Sequence, residues 1–280
     1  MSAGRVRLGN GAEVAALGQG TWHMGSDRSR RAEELASLRL GIDLGMTLID
    51  TAEMYGDGDA EELVGEAISG IRDNVYLVSK VLPSHAGRAA MRRSCEASLR
   101  RLGCERIDLY LLHWRGGTPL AETIDGFETL VRDGLIASWG VSNFDVADMQ
   151  SMVGVAHPGH CLVNQVLYNL DNRGIEFDLL RYGLDHGVAL MAYSPVGQGG
   201  ELLRHPVLGD LALKHGCRPA QVALAWTLRH DNLISIPKAG TRAHVRENAE
   251  ARSLVLDAAD LAALDRAFPP PARKQPLAML

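Results

Sequence analysis

The stretch "TLIDTAEMYGDGDAEELVGEAISGIRDNVYLVSK", residues 47–80, contains one complete strand–helix–strand unit. It opens on a short apolar run, Thr47-Leu48-Ile49, and closes on a second, "VYLVSK" (75–80). Between them, Ala60, Leu63, Val64, Ala67 and Ile68 recur at i, i+3, i+4, i+7 and i+8, the apolar face of a helix. Each strand ends in a charge, Asp50 on the first and Lys80 on the second. Tyr55 follows Asp50 by five residues, in a glycine-rich turn.

The unit recurs along the chain. The runs "AALGQGT" (15–21), "TLID" (47–50), "VYLVSK" (75–80), "IDLYLLH" (107–113), "ASWGVSN" (137–143), "LVNQVLY" (162–168), "ALMAYSP" (189–195) and "LISIPK" (233–238) read as eight strands. Helical patterns alternate with them. Met91, Cys95, Leu99 and Leu102 form one apolar face before Gly103. Leu120, Ile124, Phe127, Leu130 and Val131 form another before Gly134, and Phe177, Leu180 and Leu184 a third before Gly187. A glycine just past the last turn is the expected helix cap. Nearly continuous apolar strands alternating with helices predict a parallel sheet covered on its outer face. Eight such units predict an α/β fold, the closed (β/α)8 TIM barrel, over residues 1–280 as a single domain. A doubly wound open sheet would carry a G-x-G-x-x-G turn after its first strand, and "GQGTWHMG" lacks that spacing. "RVRLGNGAEVAAL" (5–17) predicts an N-terminal β-hairpin around Asn10-Gly11, placed at the bottom of the barrel. Extra helices are expected after strands seven and eight: two patterns, "HPVLGDLALKHG" and "PAQVALAWTLRH", follow the seventh strand, and a last helix bearing Leu261, Leu264 and Phe268 stops at Pro269-Pro270-Pro271.

Composition narrows the function. The chain has 280 residues, 46% of them hydrophobic, and a net charge of −5. An acidic balance argues against nucleic acid as a partner. No apolar run reaches about 18 residues, which argues against a membrane span, and "MSAGRVRLGN" has no secretory core. Cys95, Cys104, Cys161 and Cys217 form no C-x-x-C pair and read as four reduced thiols of a cytoplasmic protein. "HPGHC" (157–161) offers two histidines and a cysteine. With its Pro and Gly and no second half, it reads as a loop, and no metal is expected.

In a barrel of this kind the carboxyl ends of the strands carry the chemistry. Those ends are Asp50, Lys80, His113, Ser142-Asn143, Asn164-Gln165, Tyr193-Ser194 and Pro237-Lys238. Any one of them alone is most simply the first solvated residue of a loop. Convergence changes that reading, because Asp50, Tyr55, Lys80 and His113 come from three successive strand ends and face one space. A phenol ionises near pH 10. An adjacent ammonium stabilises its anion, and lowering it by about 3 units corresponds to about 4 kcal/mol. A carboxylate beside a buried lysine keeps that lysine charged. His113 can hold a substrate oxygen near the phenol. The set is an acid aimed at an oxygen that gains negative charge, as a carbonyl does on reduction. Two other readings use the same residues: an aldolase or lyase with Lys80 as a Schiff-base amine, and a silent nucleotide-binding protein.

The motifs "GQGTW", "LIDTAEMYG", "LVSKV", "IDLYLLHW", "WGVSNF", "NQVLYN", "AYSPVGQG" and "IPKAGTRAHVREN" stand in this order along the chain. In them the sequence resembles the aldo-keto reductases over nearly its whole length. The resemblance implies a (β/α)8 enzyme that reduces aldehydes and ketones with NADPH, NADH being the alternative cofactor, and that works as a monomer. It makes Asp50, Tyr55, Lys80 and His113 the catalytic tetrad, with Tyr55 the proton donor. It places Tyr193 on the nicotinamide, and Ser142, Asn143 and Gln165 on the carboxamide. Ser194, Pro195 and Gly197 fall in the pyrophosphate loop, Lys238 at the adenosine phosphate, and Glu247 and Asn248 around the adenine. Gly20, Thr21, Trp22, Asp50 and Ile236 complete the cofactor contacts, and Trp22, Tyr55, His113 and Trp114 those to substrate, with Met54 at the mouth. A short tail after Phe268 implies an open pocket; small aldehydes, 2-oxoaldehydes and diketo sugars are the substrate classes.

The motif around Lys238 departs from the family. Ala239 replaces a serine, and His244 stands where an arginine often grips the 2′-phosphate; Arg242 and Arg246 lie nearby and read equally as substitutes or as solvated helix charges. If His244 makes that contact, NADPH binding weakens as pH rises through about 6.5. A dissociation constant that stays flat across that range removes His244 from the phosphate site.

Overall fold

The computed structural model describes residues 4–152 and 160–280. Its strands are β1 (Arg5–Arg7), β2 (Glu13–Ala15), β3 (Gln19–Gly20), β4 (Leu48–Asp50), β5 (Tyr76–Val81), β6 (Ile107–Leu112), β7 (Ile136–Ser142), β8 (Cys161–Leu167), β9 (Ala189–Tyr193) and β10 (Leu233–Ser235). Its helices are α1 (Arg31–Asp43), α2 (Asp59–Ile68), α3 (Arg88–Leu102), α4 (Leu120–Arg132), α5 (Val146–Ser151), α6 (Leu179–His186), α7 (Pro206–His215), α8 (Pro219–Thr227), α9 (Arg242–Glu250) and α10 (Ala258–Ala267).

Strands β3 to β10 lie side by side in sequence order, every pair parallel. The two edges meet. Leu17 bridges Ser235 and Gly20 bridges Lys238, both parallel, and the Gly18 N–H donates to Ser235 O at 2.8 Å. The sheet therefore closes into the (β/α)8 barrel. Closure explains Gly20: a Cβ there would sit 2.8 Å from the Ile236 carbonyl oxygen. The glycine allows the first and last strands to approach, and that reason is independent of any cofactor.

Alternation sorts each strand between two cores. Leu48, Val78, Leu109, Leu111, Val163, Met191 and Ile234 fill the barrel interior, while Ile49, Leu77, Tyr110, Leu112 and Trp139 pack outward under the helices. The hairpin joins the inner set through Val6, Leu8 and Val14, so it plugs the barrel as expected. Its turn runs through Gly9-Asn10-Gly11, with Leu8 N–H donating to Ala12 O and Gly11 at φ +85°.

The apolar faces of α2, α3 and α4 are buried as their spacing predicts. That of α6 is not. Phe177 and Leu184 are exposed, and the buried residues are Leu179 and Gly183. A Cβ at Gly183 would lie 2.7 Å from the Val188 carbonyl. The helix docks through its smallest residue, which turns the larger side chains outward. The tail also differs from expectation. It runs back over the barrel, with Lys274 on Asp178, Leu277 packed on the outer core and the Leu280 main chain beside the Tyr193 phenol. A short tail therefore still reaches the rim.

Leu8 is buried in the plug. Leu8→Ala should cost about 2–5 kcal/mol in urea unfolding, the usual range for a buried leucine. A loss below about 1 kcal/mol would mean that the hairpin adds little to the barrel.

Candidate active site

Asp50 and Lys80 reach the top of the barrel by the same alternation that buries Leu48 and Val78 beneath them. Asp50 pairs in register with Val78, and Lys80 with Leu111. His113 follows β6, its N–H donating to Val81 O at 3.0 Å. Tyr55 is delivered by the turn after β4, where Gly56 and Gly58 take positive φ.

Lys80 has no exposed surface. Its three donors are all used: Nζ donates to Asp50 Oδ2 at 2.8 Å, to the Thr51 carbonyl at 2.9 Å and to the Tyr55 hydroxyl at 3.0 Å. Burial works to lower the lysine, but Asp50 and Tyr55 outweigh it and hold the ammonium above its ordinary value. Burial lifts the Asp50 carboxyl, with Lys80 and Gln165 pulling against that lift. Gln165 Nε2 donates to Asp50 Oδ1 at 2.7 Å. Thr51, which no strand-end pattern singles out, thus completes the lysine's hydrogen bonds.

The Tyr55 phenol does not follow the acidified reading. Burial raises it above its ordinary value, and the Lys80 charge only partly offsets this. The hydroxyl is therefore protonated at neutral pH and stands beside a cation. Its ring meets that of His113 edge-on, centroids 5.8 Å apart. Burial, with help from Lys80, pushes His113 down to about 3. The imidazole is neutral, and its Nδ1 is buried without a hydrogen-bond partner among the described residues.

The cofactor candidates divide into two groups. Ser142, Asn143, Gln165 and Tyr193 form one connected layer. Ser142 Oγ donates to Gln165 O at 2.9 Å, Asn143 Nδ2 to His113 O at 3.2 Å, and the Tyr193 hydroxyl to Asn143 Oδ1 at 3.0 Å. Burial pushes the Tyr193 phenol up to about 12, so it stays a donor. Gln165 directs its Nε2 at Asp50 and at the Met191 sulfur. Its carbonyl oxygen is left as an acceptor, and a carboxamide N–H is the donor that such an oxygen takes. Thr21 is buried, its hydroxyl donating to Asp50 O at 2.9 Å, while Trp22 is exposed and stacks on His23 at 4.1 Å. Trp114 lies beside His113, centroids 4.9 Å apart, and Met54 is exposed.

The second group is looser. Ser194 and Gly197 take positive φ in the turn after β9, with Gly197 N–H closing on Ser194 O at 3.0 Å; Pro195 is buried in that turn. Lys238 is exposed beyond β10. His244 is exposed, Asn248 is buried, and Glu247 lies 3.6 Å from the Arg218 guanidinium. Ile236 belongs to the barrel core, and its carbonyl lies beside Gly20. In "HPGHC", His157 lies outside the described residues, and His160 Nδ1 sits 2.8 Å from Glu128 Oε1.

The sequence model of the aldo/keto reductase family matches residues 16–268. The chain belongs to that family. Among its relatives, methylglyoxal reductase YeaE of Escherichia coli (strain K12) is 48% identical over 279 residues, 98% of each chain. Glyoxal reductase of Bacillus subtilis (strain 168) is 35% identical over 263 residues, 93% of this chain and 91% of that one. A crystal structure of an aldo-keto reductase from Klebsiella pneumoniae in complex with NADPH superposes with a TM-score of 0.97 at 51% identity, covering 100% of both chains. Among the described residues no helix is long and apolar enough to cross a membrane.

The depressed His113 makes a pH prediction for this aldo/keto reductase. Its folded value near 3 lies below the ordinary 6.5. Between those values the unfolded chain binds a proton that the folded one does not. The contribution is complete above about pH 6.5 and is lost as pH falls, at up to about 1.4 kcal/mol per unit. Denaturation from pH 7 to 4 should show a shallower slope for His113→Asn than for wild type. His230, which burial also holds down to about 4, contributes equally to both, so parallel slopes would refute the assignment.

Proposed function

We propose that residues 1–280 act as one domain that reduces small 2-oxoaldehydes with NADPH. One observation supports this above the others: a buried, fully hydrogen-bonded Lys80 ammonium lies 3.0 Å from the Tyr55 hydroxyl, beside a neutral imidazole. NADPH, when bound, supplies the hydride to the carbonyl carbon. Tyr55 gives its proton to the carbonyl oxygen, which yields the alcohol and leaves a phenolate. Lys80 stabilises that phenolate at contact distance, where water is excluded and a charge interaction is strong. Asp50 keeps the lysine charged. His113, neutral and therefore able to present one N–H, holds the substrate oxygen.

The residues suit the cofactor at both ends. Gln165 and Asn143 offer an acceptor and an amide where a carboxamide would bind, and Tyr193 stands beside them. Ser194, Pro195 and Gly197 form a tight turn for a pyrophosphate, with Lys238, His244, Glu247 and Asn248 beyond it. NADH lacks the 2′-phosphate that the cations around Lys238 would take, so NADPH is the preferred form. The 2-oxoaldehyde assignment rests on the activities named for the two relatives. Trp22, Met54 and Trp114 would face the substrate, and a small molecule with two adjacent carbonyls needs few contacts.

A Schiff base on Lys80 is disfavoured, since that amine is charged and all three of its hydrogens are committed. All four tetrad residues come from one chain, so the site is complete in a monomer. Four unpaired thiols suit a reducing compartment, and we place the enzyme in the cytoplasm.

Tyr55→Phe should lower kcat for methylglyoxal by about 10²–10⁴-fold, the usual contribution of a general acid. NADPH should still quench tryptophan fluorescence. Equal turnover by the two proteins would show that another group supplies the proton.

A further inference from the structure

Helix α1 carries two adjacent carboxylates, and each fixes a different arginine. Glu33 takes Arg242: the Arg242 N–H donates to Glu33 Oε1 at 3.1 Å, and the guanidinium lies 3.4 Å from Oε2. Glu34 is 1% exposed, unusual for a carboxylate. It accepts the Gly25 N–H at 2.9 Å and lies 3.7 Å from the Arg30 guanidinium. The Arg30 side chain is itself half exposed. One edge of its guanidinium is therefore tethered and the rest faces outward.

Lys238 comes up beside it from the neighbouring strand end, since Gly20 and Lys238 bridge the seam of the barrel. The two cations converge over Gly240. A Cβ on that glycine would lie 2.8 Å from Arg30 Nη2, 3.6 Å from Lys238 Nζ and 3.7 Å from Glu34 Oε1. Two positive charges thus share one carboxylate, and one positive charge remains uncompensated. Burial, and then the Arg30 charge, lower the Lys238 ammonium below its ordinary value. An anion at this point would relieve that repulsion.

We propose that Arg30, acting with Lys238 and held by Glu34, grips the 2′-phosphate of NADPH and sets the preference for NADPH over NADH. The inference rests on the NADPH reading above. Arg30 supplies the contact that Ala239 lacks the hydroxyl to make. It also supplies what Arg242 does not, because Glu33 already engages that arginine through its main chain and side chain. A guanidinium offers parallel donors to a phosphate monoester, and the lysine adds a point charge. NADH presents a hydroxyl there and leaves the two cations facing each other, so the discrimination includes a repulsive part.

Calorimetric titration with NADPH, NADH, adenosine 2′,5′-bisphosphate and adenosine 5′-monophosphate tests this without turnover. Arg30→Ala should weaken both 2′-phosphorylated ligands by about 10- to 100-fold, the range for a charge-assisted hydrogen bond. The NADPH-to-NADH affinity ratio should fall by the same factor. Arg30→Lys should recover part of it, and Gly240→Ala, which displaces the guanidinium, should reproduce the loss. Equal weakening of all four ligands would overturn the proposal, because Arg30 would then only support the fold. So would a selective loss in Arg242→Ala or His244→Ala with none in Arg30→Ala. Wild-type protein that binds neither 2′-phosphorylated ligand would instead refute the NADPH reading, and this inference with it.

Discussion

The site depends on one buried ammonium. Placing Lys80 in the barrel removes its hydration, at an effective cost of several kcal/mol for an ion in a protein. Three acceptors replace the water: a carboxylate, a main-chain carbonyl and a phenol. Removing any one leaves a donor in a dry site. Asp50 is held in turn by Gln165, four strands away in the barrel order. The geometry of the acid is thus a property of the closed barrel, because only closure brings β4, β5 and β8 around one space.

The apolar layers below serve the same end. Leu48 and Val78 lie one alternation beneath Asp50 and Lys80, and the hairpin seals the lower opening with Val6, Leu8 and Val14. Water that entered from below would screen the ion pair and weaken the support for a phenolate. Low dielectric also explains the opposite demands on the two aromatic partners. It raises Tyr55, so the phenol keeps its proton at neutral pH, as the proposed general acid requires. It lowers His113, so no proton arrives there and the imidazole remains a neutral donor.

Most of the barrel was legible because buried parallel strands are apolar throughout and the helices end on glycine. The tetrad was legible because strand ends can be read off as polar residues closing apolar runs. Failures arose where packing overrides pattern. The larger side chains of α6 predict its buried face, yet Gly183 decides it through backbone contact with Val188. Gly20 and Ile236 stand inside cofactor motifs and also meet at the seam, a packing constraint that the motifs do not signal. The sign of the Tyr55 shift could not come from charges alone, since it depends on how deeply the ring is buried. Thr51 contributes a carbonyl, and no residue type signals that. Arg30 sits in "SDRSRR", a run that reads as a solvated surface until the fold brings Lys238 beside it.

The two ends of the site are built on different principles. At the reacting end Asp50 and Lys80 are fixed by strand register and by buried hydrogen bonds, so a change at one position propagates to its neighbours. Asp50 cannot move without disturbing Lys80, Gln165 and Thr21. At the end proposed for the adenosine the candidate groups come from α1, α9 and the loops that precede them. Their ion pairs are partly solvated and each is worth little alone. Glu33 and Glu34 sort the arginines there, and the tetrad hydrogen bonds involve neither. Cofactor choice can therefore change by exchange of a few surface charges while the proton donor keeps its environment. Ala239 and His244 are the two departures from the family motif around Lys238, and the convergence of Arg30 on Lys238 over Gly240 places a second cation beside them.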